Sequence, residues 1–141
     1  MPENAIDAVA SRLAFVVGRL NRRLVGASGG LSHALLSALA TVAKKGPIRL
    51  ADLAQVEMVS APSITRVVAE LETRGLVARS ADPDDGRAFL MQVTEAGMAA
   101  VLRARAARAE VMAELLAELA PADVAAIAEA LPALEGIVGH M

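Results

Sequence analysis

The chain has 141 residues, with 14 basic and 16 acidic side chains, two Phe and no Cys, Trp or Tyr. The missing cysteines exclude disulfides, thiolate metal sites, cysteine nucleophiles and thiol-based peroxide sensing. The formal charge of −2 divides unevenly: residues 1–11 carry −2, residues 12–108 carry 14 bases and 8 acids for +6, and residues 109–141 carry six acids and no base for −6. The middle is therefore the part suited to a polyanionic partner. Alanine accounts for 32 residues, so much of the apolar content is a strong helix former with little side chain to bury.

Glu3 and Asp7 stand where a secretory signal would carry bases, and no apolar run approaches the roughly 18 residues of a membrane span. A soluble, cytoplasmic chain with no membrane partner is expected. Ile6, Val9, Leu13, Val16, Val17, Leu20 and Leu24 recur at steps of three or four, which predicts one amphipathic helix over about 4–25, its polar side carrying Arg12, Arg19, Arg22 and Arg23. Gly26, Ser28, Gly29 and Gly30 end it. Ser32 can cap a second helix, Leu35 to Ala43, closed by Lys44, Lys45, Gly46 and Pro47; the lysines complement the helix dipole, and Gly46 is expected to take the left-handed conformation.

Two short helices follow, Leu50 to Gln55 and Ser60 to Arg74, with Ser60 as the cap of the second and Pro62 in its first turn. Leu76 to Ser80 and Ala88 to Val93 read as strands around the turn-rich segment 81–87. Thr94 can cap a long helix to about Ala120, and Pro121 opens a last one ending near Val138. The expected fold is mainly α with a small β-hairpin: a helix-turn-helix with a wing, flanked by terminal helices, in one domain spanning 1–141. Neither the first helix nor the last two can bury an apolar stripe alone. Ile6, Val9, Leu13, Leu116, Leu119, Ile127, Leu131 and Leu134 are therefore assigned to dimerisation, with packing of these helices on one another as the alternative.

On the helix from Ser60 to Arg74, Ile64, Val67, Val68 and Leu71 share one face at 100° per residue. The opposite side presents Pro62, Ser63, Thr65 and Arg66, small and hydroxylated groups with one guanidinium, which suits entry into a DNA major groove. An ordinary solvated face is the alternative. In Asp82-Pro83-x-Asp85-x-Arg87, Asp85 is placed to hold Arg87 by an ion pair, presenting a guanidinium to an electronegative minor groove. A calcium loop is excluded, since Gly86 takes its fifth position, Val93 its twelfth, and a strand follows. A charged surface turn without a role remains the other alternative. No phosphate loop, metalloprotease motif or nucleophile elbow occurs, and no His pair is spaced for a metal, so no enzyme, metal or cofactor is expected. The methionines at 58, 91, 98 and 112 read as core filler, and His140 as a frayed terminus.

Leu50-Ala51-Asp52-Leu53-Ala54, Ser60 to Arg66, Leu71-Glu72-x-Arg74-Gly75-Leu76-Val77-x-Arg79, Asp82-Pro83-x-Asp85-x-Arg87 and Val93-Thr94-x-x-Gly97 together closely resemble the MarR family of winged helix-turn-helix regulators. The motifs span about 50–97. The resemblance implies that 4–30 and 109–141 form dimerisation helices, with 31–108 as the winged region and the start of the long C-terminal helix. It further implies a homodimer on a pseudo-palindromic operator in double-stranded DNA, its half-sites about 10 bp or roughly 34 Å apart, with a repressor released by a small anionic or amphipathic ligand. Arg49, Arg74 and Arg79 become candidate phosphate contacts beside Pro62, Ser63, Thr65, Arg66, Asp85 and Arg87. Phe15, Arg19 and His33 fall near the implied effector cleft, with solvated surface side chains as the alternative for Arg19 and His33.

Three features depart from the family pattern. Segment 44–87 has seven bases and seven acids; Gly86 loosens the wing tip; and Phe15 and Phe89 are the only aromatics. The neutral segment and the acidic tail keep open a second reading, a winged-helix dimer with weak or lost DNA binding that serves as a protein-interaction module.

Overall fold

Three hydroxyl caps set where helices begin in the computed structural model, which describes residues 3–139. Helix α1 (Glu3–Val25) ends in the Gly-rich turn. Ser32 then accepts the Leu35 N–H and starts α2 (His33–Lys45). Strand β1 (Ile48–Arg49) leads into α3 (Leu50–Glu57), and Ser60 accepts the Ser63 N–H at 3.3 Å to open α4 (Ala61–Thr73). Strands β2 (Val77–Asp82) and β3 (Asp85–Val93) form the hairpin. Thr94 accepts the Gly97 N–H at 3.0 Å at the head of α5 (Glu95–Ala117), and α6 (Pro121–Gly139) follows. The chain divides into two compact units, 1–108 and 109–141, the boundary falling within α5. It coincides with the charge step between the +6 and −6 segments. His140 lies outside the described residues.

The core belongs to the first unit. Leu39 of α2, Leu53 of α3, Leu71 of α4 and Met91 of β3 are fully buried, joined by Ile64, Val68, Val77 and, from α5, Ala100, Val101 and Ala104. Side chains of this size each contribute about 1.5–3 kcal/mol on burial, so this cluster holds the helix-turn-helix and the sheet together. Ile64, Val68 and Leu71 are the buried face predicted for α4, with Val67 half-buried beside them.

Several expectations are corrected. The sheet has three antiparallel strands in the order β1-β3-β2, because Ile48 and Arg49 pair with Met91 and Leu90. A two-residue strand is too short to show any alternation, and its partner lies more than 40 positions away. The turn is only Pro83-Asp84, since Asp82 pairs with Asp85 and the two strands take in the other five residues of the segment read as a loop. Gly46 is extended (φ −69°, ψ 157°) instead of left-handed. Its lack of a side chain serves close packing, because a Cβ there would lie 2.5 Å from the Val42 carbonyl oxygen. The left-handed residue of this region is Met58 (φ 57°), which caps α3 and is 91% exposed. It is therefore not core filler, whereas Met91 is.

No residue of α6 is buried, nor is any described residue of α1. In α1, Ile6 and Val9 are more than half exposed. In the second unit, Leu119, Ile127 and Leu131 are exposed, and Leu116 and Leu134 half-buried.

Candidate nucleic-acid interface

Helix α4 exposes Pro62, Thr65 and Arg66, with Ser63 half-buried at its start. Thr65 donates its hydroxyl to the Ala61 carbonyl at 2.8 Å. Its proton is thus committed to the helix, and what it offers outward is an acceptor oxygen and a methyl group. Ser63 is the reverse case. Its hydroxyl oxygen accepts from Ser60 at 2.9 Å, leaving its own O–H available to donate. Arg66 reaches Ser63 only at 3.5 Å and has no ion-pair partner among the described residues. This surface combines a donor, an acceptor, a methyl and a guanidinium, the groups that distinguish base edges in a major groove.

The wing is shaped by a break in its ladder. Pairing runs from Val77–Val93 to Ala81–Phe89 and then jumps to Asp82–Asp85. Gly86, Arg87 and Ala88 therefore have no partner on β2 and form a bulge, a device that re-aims side chains. Asp85 does hold Arg87, but through the backbone: its carboxylate accepts the Arg87 N–H at 3.0 Å. The expected ion pair is absent among the described residues, and the Arg87 guanidinium stays uncommitted on an exposed residue. A carboxylate two residues away on a strand is well placed for a main-chain N–H, and the long arginine side chain extends past it.

The other arginines of the segment are engaged. Arg49 donates Nε–H to Asp82 at 2.5 Å, Arg74 to Glu70 at 2.9 Å, and Arg79 to Glu72 at 2.8 Å. Arg79 also lies over the Phe89 ring, 4.1 Å from its centroid, a cation–π contact that assigns one of the two aromatics to wing structure. The seven acids of 44–87 thus do not simply cancel the seven bases. They select which arginines remain available.

A sequence profile described as MarR family matches residues 31–89. An uncharacterized HTH-type transcriptional regulator of Mycobacterium bovis is 44% identical over 113 residues, 79% of each chain. The chain belongs to the MarR family. It is a transcriptional regulator, not an enzyme. Among solved structures, a MarR family protein from Bacillus stearothermophilus superposes with TM-score 0.78 at 18% identity, over 99% of each chain. A mutant of Staphylococcus aureus MepR bound to an oligodeoxyribonucleotide gives TM-score 0.69 at 13% identity, over 92% of this chain and 97% of that one. Both likenesses establish the MarR fold, mainly helical with a small antiparallel sheet.

In this MarR chain the three residues assigned to an effector do not meet. Phe15 and Arg19 line one shallow groove on α1 together with Gly18 and Arg22. His33 lines a separate cleft against α3 and α4. Two carboxylates to which the sequence assigned no contact of their own are firmly held: Asp82, its side chain 1% exposed, and Glu57, held by two hydroxyls. The acid-rich run 82–85 was a signal for the first. Nothing local marks Glu57, because its partners come from another helix. Among the described residues no group of His, Asp and Glu is arranged to hold a metal, and no helix is long and apolar enough to cross a membrane.

Proposed function

We propose that the chain is a cytoplasmic, homodimeric repressor that binds a pseudo-palindromic site in double-stranded DNA and is released by a small ligand. Among the arginines of segment 44–87, Arg66 and Arg87 alone lack an acidic partner within the described residues. That observation carries the reading, because these two stand on the helix and the wing that a winged helix-turn-helix presents to DNA. Pro62, Ser63, Thr65 and Arg66 read the major groove, and Arg87 the minor groove with Asp85 shaping its backbone. A fold neighbour bound to an oligodeoxyribonucleotide supports DNA as the partner.

Arg49, Arg74 and Arg79 contact phosphates only by sharing or exchanging their carboxylates. Dimerisation buries Ile6, Val9, Leu13, Leu116, Leu119, Ile127, Leu131 and Leu134; the exposure of Ile6, Val9, Leu119, Ile127 and Leu131 in the single chain supports a partner. Arg19 and Phe15 offer a cation and a ring to an anionic amphipathic effector, with His33 as a separate contact.

The second reading, a protein-interaction dimer with little DNA affinity, draws on the internal pairing of those three arginines. Titrating the protein onto DNA flanking its own gene at several salt concentrations separates the two. A DNA regulator loses affinity steeply as salt rises, with a slope set by the phosphates neutralised, and footprints two half-sites about 10 bp apart. Binding that is absent, or insensitive to salt, would favour the interaction module.

A further inference from the structure

Beneath α4 lies a cleft of about 220 Å³, lined by His33 and Ser37 of α2, Glu57 at the end of α3, Val59, and Ile64 and Val67 of α4. Its chemistry is unlike that of the DNA-facing surface. The Glu57 carboxylate accepts the Ser37 hydroxyl on Oε2 and the Thr41 hydroxyl on Oε1, each at 2.6 Å. These two donors are neutral: they orient the carboxylate and leave its charge unopposed. Among the described residues no basic side chain lies within ion-pairing distance of it. A carboxylate has about four acceptor positions, so both oxygens keep capacity for a further donor. The remainder of the lining is mostly aliphatic, including Ala34 and Ala38.

An apolar cleft with one oriented charge defines its ligand by complement, since such sites bind an apolar body and use a few polar groups to fix its orientation. We propose that this cleft binds a small amphipathic ammonium, its N–H groups donating to Glu57 and its hydrocarbon part resting against Val59, Ile64 and Val67. Charge-assisted hydrogen bonds of this kind are about twice as strong as neutral ones, whereas a carboxylate ligand would meet Glu57 as a like charge. The class of ligand is thus opposite in sign to the anion that Arg19 would attract. The assignment stands on the cleft alone and does not depend on DNA binding.

Benzylammonium, benzyl alcohol and benzoate share a ring and differ in charge, and each can be titrated into the full-length protein by calorimetry. Benzylammonium is expected to saturate at millimolar concentration, with benzyl alcohol at least about tenfold weaker and benzoate shifting no methyl resonance of Val59, Ile64 or Val67. In Glu57→Gln, an acceptor oxygen is kept and the charge removed, and benzylammonium affinity should fall at least about tenfold. Methyl NMR of the wild-type protein gives a measurement that needs no variant: resonances of Val59, Ile64 and Val67 should shift with benzylammonium, and those of α1 should not. Equal affinity for benzylammonium and benzyl alcohol, no binding of benzylammonium, benzylammonium shifts confined to other methyls, or a folded Glu57→Gln that binds as tightly as wild type would each overturn the assignment.

Discussion

Arg49 and Asp82 join the two ends of the winged region: a guanidinium on the shortest strand donates to a carboxylate at the tip of the hairpin, 33 positions away. The Asp82 carboxylate also accepts the Asp84 N–H at 2.9 Å, so one nearly inaccessible group at the end of β2 anchors both the turn and β1, the far strand of the sheet. The backbone hydrogen bond from Asp84 and then the side-chain hydrogen bond from Arg49 hold the Asp82 carboxyl below its ordinary range, and the same contact raises Arg49.

A carboxyl depressed on folding stabilises the native state above its unfolded pKa of about 3.9, and that stabilisation is lost as pH falls through the lower folded value. The urea midpoint of the wild-type protein should therefore fall on acidification below about pH 4. In Asp82→Asn the midpoint should already be lower at neutral pH, and its acid decline shallower. Parallel pH profiles for the two proteins would show that the anchor contributes nothing.

Replacing Arg87 by Ala should weaken operator binding by about 1–3 kcal/mol, the range for one specific groove contact. Arg79→Ala should cost less than about 1 kcal/mol, since its guanidinium is already shared between Glu72 and the Phe89 ring and exposed pairs are weak. Anisotropy titrations at fixed salt compare them directly. A larger loss for Arg79 would place the main contact of the wing on strand β2 instead of the bulge.

Gly97→Ala sets two effects against each other. Alanine improves intrinsic helix propensity by about 1 kcal/mol, but a Cβ at 97 would overlap the Leu76 carbonyl oxygen and lie 2.8 Å from a Val93 methyl. Overpacking against backbone costs typically about 1–3 kcal/mol, so net destabilisation is expected in urea unfolding. At Gly86 a Cβ would meet nothing within 4 Å, and Gly86→Ala should be neutral or gain up to about 1 kcal/mol by restricting the unfolded chain.

Val9→Asp tests the apolar stripe of α1. Val9 is 57% exposed in the single chain, so aspartate is harmless there and costly wherever a second copy would bury it. Sedimentation should show a shift from dimer toward monomer with the helical circular dichroism retained. An unchanged sedimentation profile would remove this face from the interface.

The order of helices, their caps at Ser32, Ser60 and Thr94, and the inward face of α4 were legible in the sequence, because each depends on residues within one or two turns. The fates of the arginines were not. Whether Arg49 or Arg79 faces solvent or a carboxylate depends on chain segments brought together by the sheet and the core; Arg74 is the exception, its partner Glu70 lying one turn back at the i,i+4 spacing. Arg87 illustrates the limit from the other side: its link to Asp85 was expected, but the bulge decides that the backbone makes it. The exposure of Met58 escaped for a different reason, since a left-handed cap on a methionine has no sequence signature.

Beside the uncommitted Arg87 stand Asp84, in the two-residue turn, and Asp85, which opens β3, both exposed. Two carboxylates at the leading edge of the wing are repelled by any phosphate they approach, on every duplex alike. A seat that admits the guanidinium and keeps the apex clear of the strands escapes this penalty, and a random seat does not. With the wing docked as proposed, the acidic tip is expected to lower generic affinity more than operator affinity, and its effect belongs to the ratio of the two, the quantity that decides occupancy when competing sites vastly outnumber the right one.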